Sequence, residues 1–314
     1  MRKKRSFKAG CGMLLVWAMA IVSALVMVLL LTAGWLWAWA HPPCERSDGI
    51  VYTQRRGNDL TFDLVRPKSS NGAAVLVLMS GSWKSRPTSF DSWMAAPFLR
   101  RGITVFAVSH LSQPEAPVQE IVEDMHRAVR FIRSRAGDYG VDPDRIGVSG
   151  ASSGGHLSLM LATCGGPGDP AAPDPVDRES SAVQAAAIFF PVTNLVDLGS
   201  SRENAGDGGP PKHFRDAFGD EGRDIAGQWP ALARELSPVF RANAGQAPVL
   251  IFHGDADTLT PLEQSIWFRE ASEKAGATSV EIVVRRGARH GWLTMPLDLV
   301  RCADWYCGRF FPKA

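Results

Sequence analysis

The sequence predicts an α/β fold, in which a mostly parallel, twisted β-sheet carries helices on both faces, preceded by one N-terminal transmembrane helix. Three observations predict it. From residue 45 onward, apolar runs of strand length alternate with amphipathic helical segments, a pattern typical of a covered parallel sheet. Polar residues follow directly after several of these runs. The 314-residue chain leaves 270 residues for this domain, enough for one complete core.

The first 44 residues are predicted to form a basic cytoplasmic tail and a membrane anchor. Five Lys and Arg residues lie within residues 2–8, and the segment 13–39 is almost entirely apolar, with three tryptophans near its end. About 20 apolar residues span a bilayer, and basic flanks stay in the cytoplasm. We therefore expect a single-pass protein of the cell membrane with domain 45–314 outside the cytoplasm. Cleavage after Ala40 would instead release a secreted form.

The charge distribution argues against a nucleic-acid partner. The chain has 34 Lys and Arg against 32 Asp and Glu, but five of the basic residues belong to the tail. From Glu45 onward, 29 basic residues therefore face 32 acidic ones, which is a mildly acidic domain. The sequence has neither the Cys/His spacing of a zinc site nor a glycine-rich phosphate loop, so we expect no cofactor and no metal.

The elements of the domain follow from the spacing of apolar residues. The segment 117–135 places Ile121, Met125, Val129 and Ile132 on one helical face, so it is predicted to cover the sheet. The predicted strands lie near 58–66, 73–80, 103–109, 145–151, 184–190, 248–253 and 279–285.

Two segments interrupt this alternation. Residues 165–177 are rich in Gly, Pro, Ala and Asp and are predicted to form a surface loop. The polar segment 199–229 lies between the strands near 184–190 and 248–253. It is predicted either to cap the substrate pocket or to be a solvated excursion.

A glycine- and serine-rich turn follows the predicted strand 145–151. A nucleophilic serine on a strained strand-to-helix turn needs small residues two positions before and after it, since side chains there would collide with neighbouring backbone. Gly150 and Gly154 provide this spacing around Ser152, and the apolar run 157–163 suits the following helix. The pattern predicts Ser152 as a nucleophile.

An acid and a base for this serine follow at later strand ends. A serine hydroxyl needs a base to take its proton, and the base needs an orienting carboxylate. Asp255 and Asp257 both follow the same strand, and Asp257 is preferred because Asp255 suits a turn-shaping role. His290 follows the last strand and is the predicted base, whereas His156 is expected to pack or hydrogen bond beneath the turn.

The oxyanion hole is predicted to come from two backbone segments. One is the N–H of Ser153, the residue after the nucleophile. The other is the loop after the strand near 73–80, where Gly81, Ser82 and Trp83 follow. Gly81 lets the backbone turn its N–H groups inward.

Taken together, these residues resemble the α/β-hydrolase superfamily of the esterase/lipase type, in the branch of bacterial carbohydrate and short-acyl esterases. The resemblance extends from Gly49 to the C-terminus. It implies an α/β-hydrolase fold in which Ser152 attacks, His290 transfers protons and Asp257 orients His290. The stretches that carry it are 63–67, 138–146, 152–156, 253–257 and 290–291.

Two departures concern the oxyanion loop and its support. Relatives usually carry His-Gly-Gly-Gly-Trp, whereas this chain has Ser-Gly-Ser-Trp at residues 80–83. Relatives often show Asp-Tyr-Arg after the fourth strand, where this chain has Val-Ser-His at 108–110. The implied function is a membrane-anchored serine hydrolase of carboxylic esters. The alternatives are a prolyl-oligopeptidase-like serine peptidase and an inactive hydrolase-fold binding protein.

The last segment holds two cysteines, Cys302 and Cys307. Five positions along an unbroken helix point in different directions, so a disulfide between them requires a break in the helix. Otherwise both are buried thiols.

Overall fold

The computed structural model describes residues 3–86, 90–277 and 279–312, with side chains from residue 16 onward. The chain divides after Pro42 into two units. The first contains the helix α1, Lys3–Ala40. Its segment Val16–Ala40 has a mean hydropathy of 2.5, has no buried residue, and is the one helix among the described residues long and apolar enough to cross a membrane. A signal sequence near the N-terminus can also meet these criteria of length and composition.

The second unit is built on one sheet, which has eight strands within the described residues. Their spatial order is β1-β2-β4-β3-β5-β6-β7-β8. Strand β2 runs antiparallel to both of its neighbours, and the strands from β4 to β8 are parallel, as predicted. The strands are β1 Cys44–Arg55, β2 Asn58–Pro67, β3 Ala74–Leu78, β4 Thr104–Val108, β5 Ile146–Ser149, β6 Ala185–Phe189, β7 Val249–Gly254 and β8 Val280–Arg285.

Helices cover both faces of this sheet. On β3, Leu76 and Leu78 join one core with side chains from α3, α5 and α8, while Val75 joins a second core with side chains from α2 and α9. Adjacent residues of a strand point to opposite faces, so each central strand feeds both cores. The helices are α2 Ser92–Leu99, α3 Val118–Ser134, α4 Ala136–Tyr139, α5 Ser153–Cys164, α6 Gly219–Arg223, α7 Trp229–Glu235, α8 Leu262–Lys274 and α9 Met295–Phe310.

The seven strands predicted from the sequence are all present, and β1 is an additional strand. It lies at the edge of the sheet, and Tyr52 is its one buried residue. Its pairing with β2 also shifts register between Ser47 and Ile50. An exposed and irregular edge strand has no apolar alternation, which is why the pattern did not reveal it.

The last helix closes a gap between two central strands. Strands β5 and β6 are in register at two pairs of residues only. The Tyr306 hydroxyl of α9 lies between them, donating to the Val148 carbonyl oxygen at 2.5 Å and accepting the Ala187 N–H at 2.8 Å. A Cβ at Gly147 would lie 2.4 Å from the tyrosine ring, so glycine makes room for it. The strand that leads to Ser152 is thereby tied to α9.

The same helix contains the two cysteines of the last segment. Helix α9 is unbroken from Met295 to Phe310, and Cys302 and Cys307 are both free thiols. Burial raises the pKa of the Cys302 thiol. The pair therefore forms no disulfide, as expected for an unbroken helix.

Candidate active site

The turn between β5 and α5 has the geometry that a nucleophile requires. Ser152 adopts φ +56° and ψ −119°, a strained conformation for a residue with a side chain. A Cβ on Gly150 would lie 2.4 Å from the Gly154 carbonyl oxygen, and one on Gly154 would lie 2.7 Å from the Leu78 carbonyl oxygen. Both glycines are therefore needed for the close approach of strand and helix. We call residues 150–154 the elbow.

The three side chains predicted as nucleophile, base and acid come together at the carboxyl edge of the sheet. His290 Nε2 lies 3.0 Å from Ser152 Oγ, and His290 Nδ1 lies 2.7 Å from Asp257 Oδ2. With the proton on Nδ1 donated to Asp257, Nε2 is free to accept the serine proton. The geometry is that of a base placed between a hydroxyl and an orienting carboxylate.

Asp257 is held as a carboxylate by its surroundings. Its Oδ1 accepts the N–H groups of Leu259 at 2.9 Å and Thr260 at 3.0 Å. Burial acts to raise the pKa of Asp257, but the hydrogen bond and charge of His290, together with these two N–H groups, lower it below its usual value. Asp255 is exposed and accepts the Gly287 N–H at 2.6 Å, a bond that fixes the adjoining turn. Asp257 is thus the aspartate that contacts His290, whereas Asp255 contacts the backbone of the turn.

The oxyanion loop, residues 80–84, is a tight turn. Gly81 and Lys84 exchange two backbone hydrogen bonds of 2.9 Å, and the residues between them, Ser82 and Trp83, have φ of +55° and +53°. Positive φ at both central residues is typical of a type I′ turn, which usually carries Asn or Gly there. The Gly81 N–H is used within this turn, where it donates to the Lys84 carbonyl oxygen.

Two of the four predicted oxyanion donors have acceptors within the protein. Gly81 N–H donates to Lys84, and Trp83 N–H donates to the Ser153 hydroxyl at 3.0 Å, so neither is available to a substrate. The N–H groups of Ser82 and Ser153 have no hydrogen-bond acceptor within the described part of the chain. One of these two N–H groups belongs to the oxyanion loop and the other to the elbow.

Side chains that the motifs did not reveal connect the oxyanion loop to its surroundings. The Ser153 hydroxyl also lies 3.1 Å from the Ser80 hydroxyl. The Trp83 indole N–H donates to His156 Nδ1 at 3.2 Å, and His156 Nε2 donates to the Leu236 carbonyl oxygen at 2.7 Å. Burial lowers the pKa of His156 to about 4. The neutral imidazole is thus the link between the loop and the end of α7.

Two cavities meet the oxyanion loop. A small one of about 40 Å³ contains Ser152 and is lined by the two free N–H residues and by Glu203 and Phe214 of the segment 199–229. The segment predicted as a cap thus supplies part of the cavity wall. A large cavity of about 1000 Å³ lies beyond the loop and is mostly apolar. Its apolar lining includes Trp93, Met94, Phe189, Trp292, Met295 and Leu299.

The aromatic residues singled out near the site take separate positions. Phe189 and Trp292 line the large cavity. Phe190 instead packs its ring against His290, with the ring centres 4.4 Å apart. Phe190 thus packs against the imidazole that contacts Ser152.

The family model described as BD-FAE matches residues 62–271, two thirds of the chain. The chain belongs to the BD-FAE family. Esterases with α/β-hydrolase folds are among its relatives, so both the fold and the family type agree with the resemblance found in the sequence.

Curated relatives of this BD-FAE protein are esterases. Esterase LipQ of Mycobacterium tuberculosis is 28% identical over 72% of this chain and 52% of its own length. A probable isoprenylcysteine alpha-carbonyl methylesterase of Arabidopsis thaliana is 26% identical over 77% of this chain and 50% of its own length. The chain thus spans about half the length of the curated relatives it matches.

Solved structures resemble the chain over most of their length. A thermophilic esterase of the Planctomycetes species Thermogutta terrifontis, solved with propionate bound, is 28% identical with a TM-score of 0.67, covering 87% of this chain and 97% of that one. An acetyl ester-xyloside bifunctional hydrolase from Caldicellulosiruptor lactoaceticus has a TM-score of 0.70 at 22% identity, covering 84% and 97%. The second likeness is one of fold.

Proposed function

We propose that the protein is a membrane-anchored serine hydrolase that cleaves carboxylic esters through an acyl-enzyme. The observation that carries this proposal is the hydrogen-bonded line from Ser152 through His290 to Asp257, which lies beside two N–H groups without acceptors. The relatives support the same bond type, since all three are named as esterases.

In the first half of the reaction, Ser152 Oγ attacks the ester carbonyl carbon while its proton passes to His290 Nε2. The carbonyl oxygen becomes an oxyanion and accepts hydrogen bonds from the N–H groups of Ser82 and Ser153. Such donors are worth about 100- to 1,000-fold each in turnover. His290 then gives its proton to the departing alcohol oxygen, which leaves an acyl group on Ser152.

In the second half, water replaces the alcohol. His290 takes a proton from the water as its oxygen attacks the acyl carbon, and the same two N–H groups stabilise the second oxyanion. Collapse returns the proton to Ser152 and releases a carboxylic acid. Asp257 keeps the His290 ring in position and stabilises its protonated form at both stages.

Helix α1 is the proposed anchor. Its apolar segment is long enough for a bilayer, and the basic residues at 2–8 favour a cytoplasmic N-terminus. A reporter that is active only outside the cytoplasm, fused after the last residue, should be active, and the protein should stay in the membrane fraction. An inactive reporter would contradict this orientation, and a soluble fusion lacking residues 1–40 would indicate cleavage.

Ester hydrolysis is tested on the full chain in detergent with p-nitrophenyl acetate and a fluorophosphonate probe. The wild type and Ser134→Ala, which removes an exposed hydroxyl of α3, should hydrolyse the ester and become labelled. Ser152→Ala should do neither, with a loss of about 10⁴-fold or more. Absence of both activities in the folded wild type would contradict the proposal. Cleavage of a peptide anilide in preference to esters would indicate the peptidase instead.

A further inference from the structure

The small cavity beside Ser152 has a carboxylate in its wall. Among the described residues that line it, Glu203 is the ionisable one. It belongs to the capping segment and is only 6% exposed. A buried carboxylate is costly unless hydrogen bonds or a cation compensate it, so its position at a reaction site requires an explanation.

The partners of Glu203 leave hydrogen-bonding capacity on its carboxylate. Oε2 accepts the backbone N–H of His213 at 3.2 Å and faces His213 Nδ1 at 2.9 Å, and the same ring nitrogen lies 3.2 Å from Oε1. Arg202 Nε forms an ion pair with Oε1 at 4.0 Å, beyond hydrogen-bond distance and from an exposed side chain. A carboxylate can accept about four hydrogen bonds, so Oε1 retains capacity for a further donor.

Two other polar side chains of the cavity wall are already hydrogen bonded. The Gln264 oxygen accepts the N–H groups of Thr193 and Asn194, and its amide nitrogen faces two carbonyl oxygens. The Ser201 hydroxyl donates to the Leu259 carbonyl oxygen and accepts the Glu203 N–H. Because Glu203 is the ionisable residue of the described lining, recognition of a cationic group on the acyl portion falls to its carboxylate.

The volume of the cavity limits the size of that acyl group. One water molecule takes up roughly 10–15 Å³ of such a cavity volume. A cavity of about 40 Å³ thus has room for roughly three non-hydrogen atoms beyond the carbonyl carbon. An α carbon, a methyl group and an ammonium nitrogen fill this space.

We propose that Glu203 is a specificity-determining residue, and that the site prefers small aminoacyl esters whose α-ammonium group binds its carboxylate. This inference rests on the proposed ester hydrolysis. The attraction between opposite charges in a partly enclosed site favours the cation, and the same carboxylate repels an acyl group that carries a negative charge.

The test uses three benzyl esters of 2-substituted propionic acids, which differ in the substituent on the α carbon. Benzyl alaninate carries an ammonium group on its α carbon, benzyl isobutyrate carries a methyl group there, and monobenzyl methylmalonate carries a carboxylate. Release of benzyl alcohol by the full chain in detergent at pH 6.5 gives kcat/KM for each ester. The ammonium group makes the alaninate intrinsically more reactive, so the informative quantity is how the ratio of two esters changes between variants.

Glu203→Gln keeps an acceptor for the His213 N–H and removes the charge. We expect the alaninate-to-isobutyrate ratio to fall about 10-fold or more and hydrolysis of the methylmalonate to rise, while Glu235→Gln, an exposed glutamate of α7, changes neither. An equal change for all three esters would mean a structural role for Glu203 and would overturn the inference. Ser152-dependent hydrolysis of isobutyrate distinguishes that result from failure of the proposed function, because without it the whole site assignment is wrong.

Discussion

The elbow, which contains Ser152, and the oxyanion loop beside it are held in place by different forces. The elbow is shaped by close backbone approach, since added Cβ atoms at Gly150 and Gly154 would overlap carbonyl oxygens. The oxyanion loop is held by side-chain hydrogen bonds, chiefly those that reach the Ser153 hydroxyl and His156. Steric demands select glycine and can be seen in a local motif. Hydrogen bonds between residues 70 or more positions apart cannot be seen in a local motif.

The largest effect is expected from a methyl group in the elbow. Gly150→Ala places a Cβ 2.4 Å from the Gly154 carbonyl oxygen, and its nearest neighbours are all backbone atoms of Gly154, which cannot rotate away as a side chain could. We expect destabilisation by about 3 kcal/mol or more and loss of nearly all ester hydrolysis. Chemical denaturation and kcat/KM measure both. Gly137→Ala, at an exposed site with nothing within 4 Å, is the control and should behave as wild type. A fully active Gly150→Ala would show that the elbow is not sterically fixed.

An intermediate effect is expected where the loop meets the elbow. Ser153→Ala removes the hydroxyl that accepts the Trp83 N–H and contacts Ser80, leaving a buried donor without a partner. This should cost about 1–3 kcal/mol of stability. We also expect kcat to fall about 10- to 100-fold because the Ser82 N–H moves, with a smaller change in KM. Ser80→Ala removes the weaker contact and should be milder. Unchanged kcat in Ser153→Ala would refute this role.

The loop should also make stability depend on pH. The pKa of His156 is lowered to about 4 by burial, so the unfolded chain takes up a proton at a higher pH than the folded one. Stability from the neutral imidazole is complete above about pH 6.5 and is lost as pH falls toward 4, with a slope of up to about 1.4 kcal/mol per pH unit.

His156→Gln can still join Trp83 to Leu236 but does not titrate, so its stability should fall less steeply. Urea unfolding at pH 7, 6 and 5 measures the difference between the slopes. His110 and His126, whose pKa values are also lowered by burial, contribute equally to both proteins. Identical slopes would mean that His156 is not the titrating link.

The smallest effect is expected at Ser82, where the chain departs from the His-Gly-Gly-Gly-Trp sequence that its relatives usually carry. Ser82 has φ +55°, which costs a residue with a side chain about 1–2 kcal/mol. Ser82→Gly removes that strain but adds about 0.4–1 kcal/mol of unfolded-chain entropy. Stability should therefore rise by about 0–1.6 kcal/mol, with kcat/KM within about threefold of wild type. A loss beyond tenfold would assign the hydroxyl a part in the reaction.

Much of the fold and of the line of three side chains could be predicted from the sequence. Strands buried on both faces are continuous apolar runs, and the residues that follow them gather at one edge of the sheet. This placed Ser152, Asp257 and His290 near one another before any distance was known, and the structure brings them within hydrogen-bond reach.

The remaining features depend on contacts that no local pattern contains. The edge strand β1 exposes most of its side chains, so its sequence lacks alternation. The number of free oxyanion donors depended on which N–H groups the turn itself uses, and that was decided by Lys84 and by the hydroxyl of Ser153. Glu203 lines the cavity from a segment with no regular periodicity.

The tyrosine between β5 and β6 has a consequence for biosynthesis. Its hydroxyl bonds Val148 across 158 positions of chain, directly before the turn that carries Ser152. During translation the strands leave the ribosome long before Tyr306 does, and their unpaired backbone groups must meanwhile be solvated by water. The hydrogen bonds that Tyr306 makes between these two strands can therefore form only after helix α9 has been made, so this part of the sheet is completed late in folding.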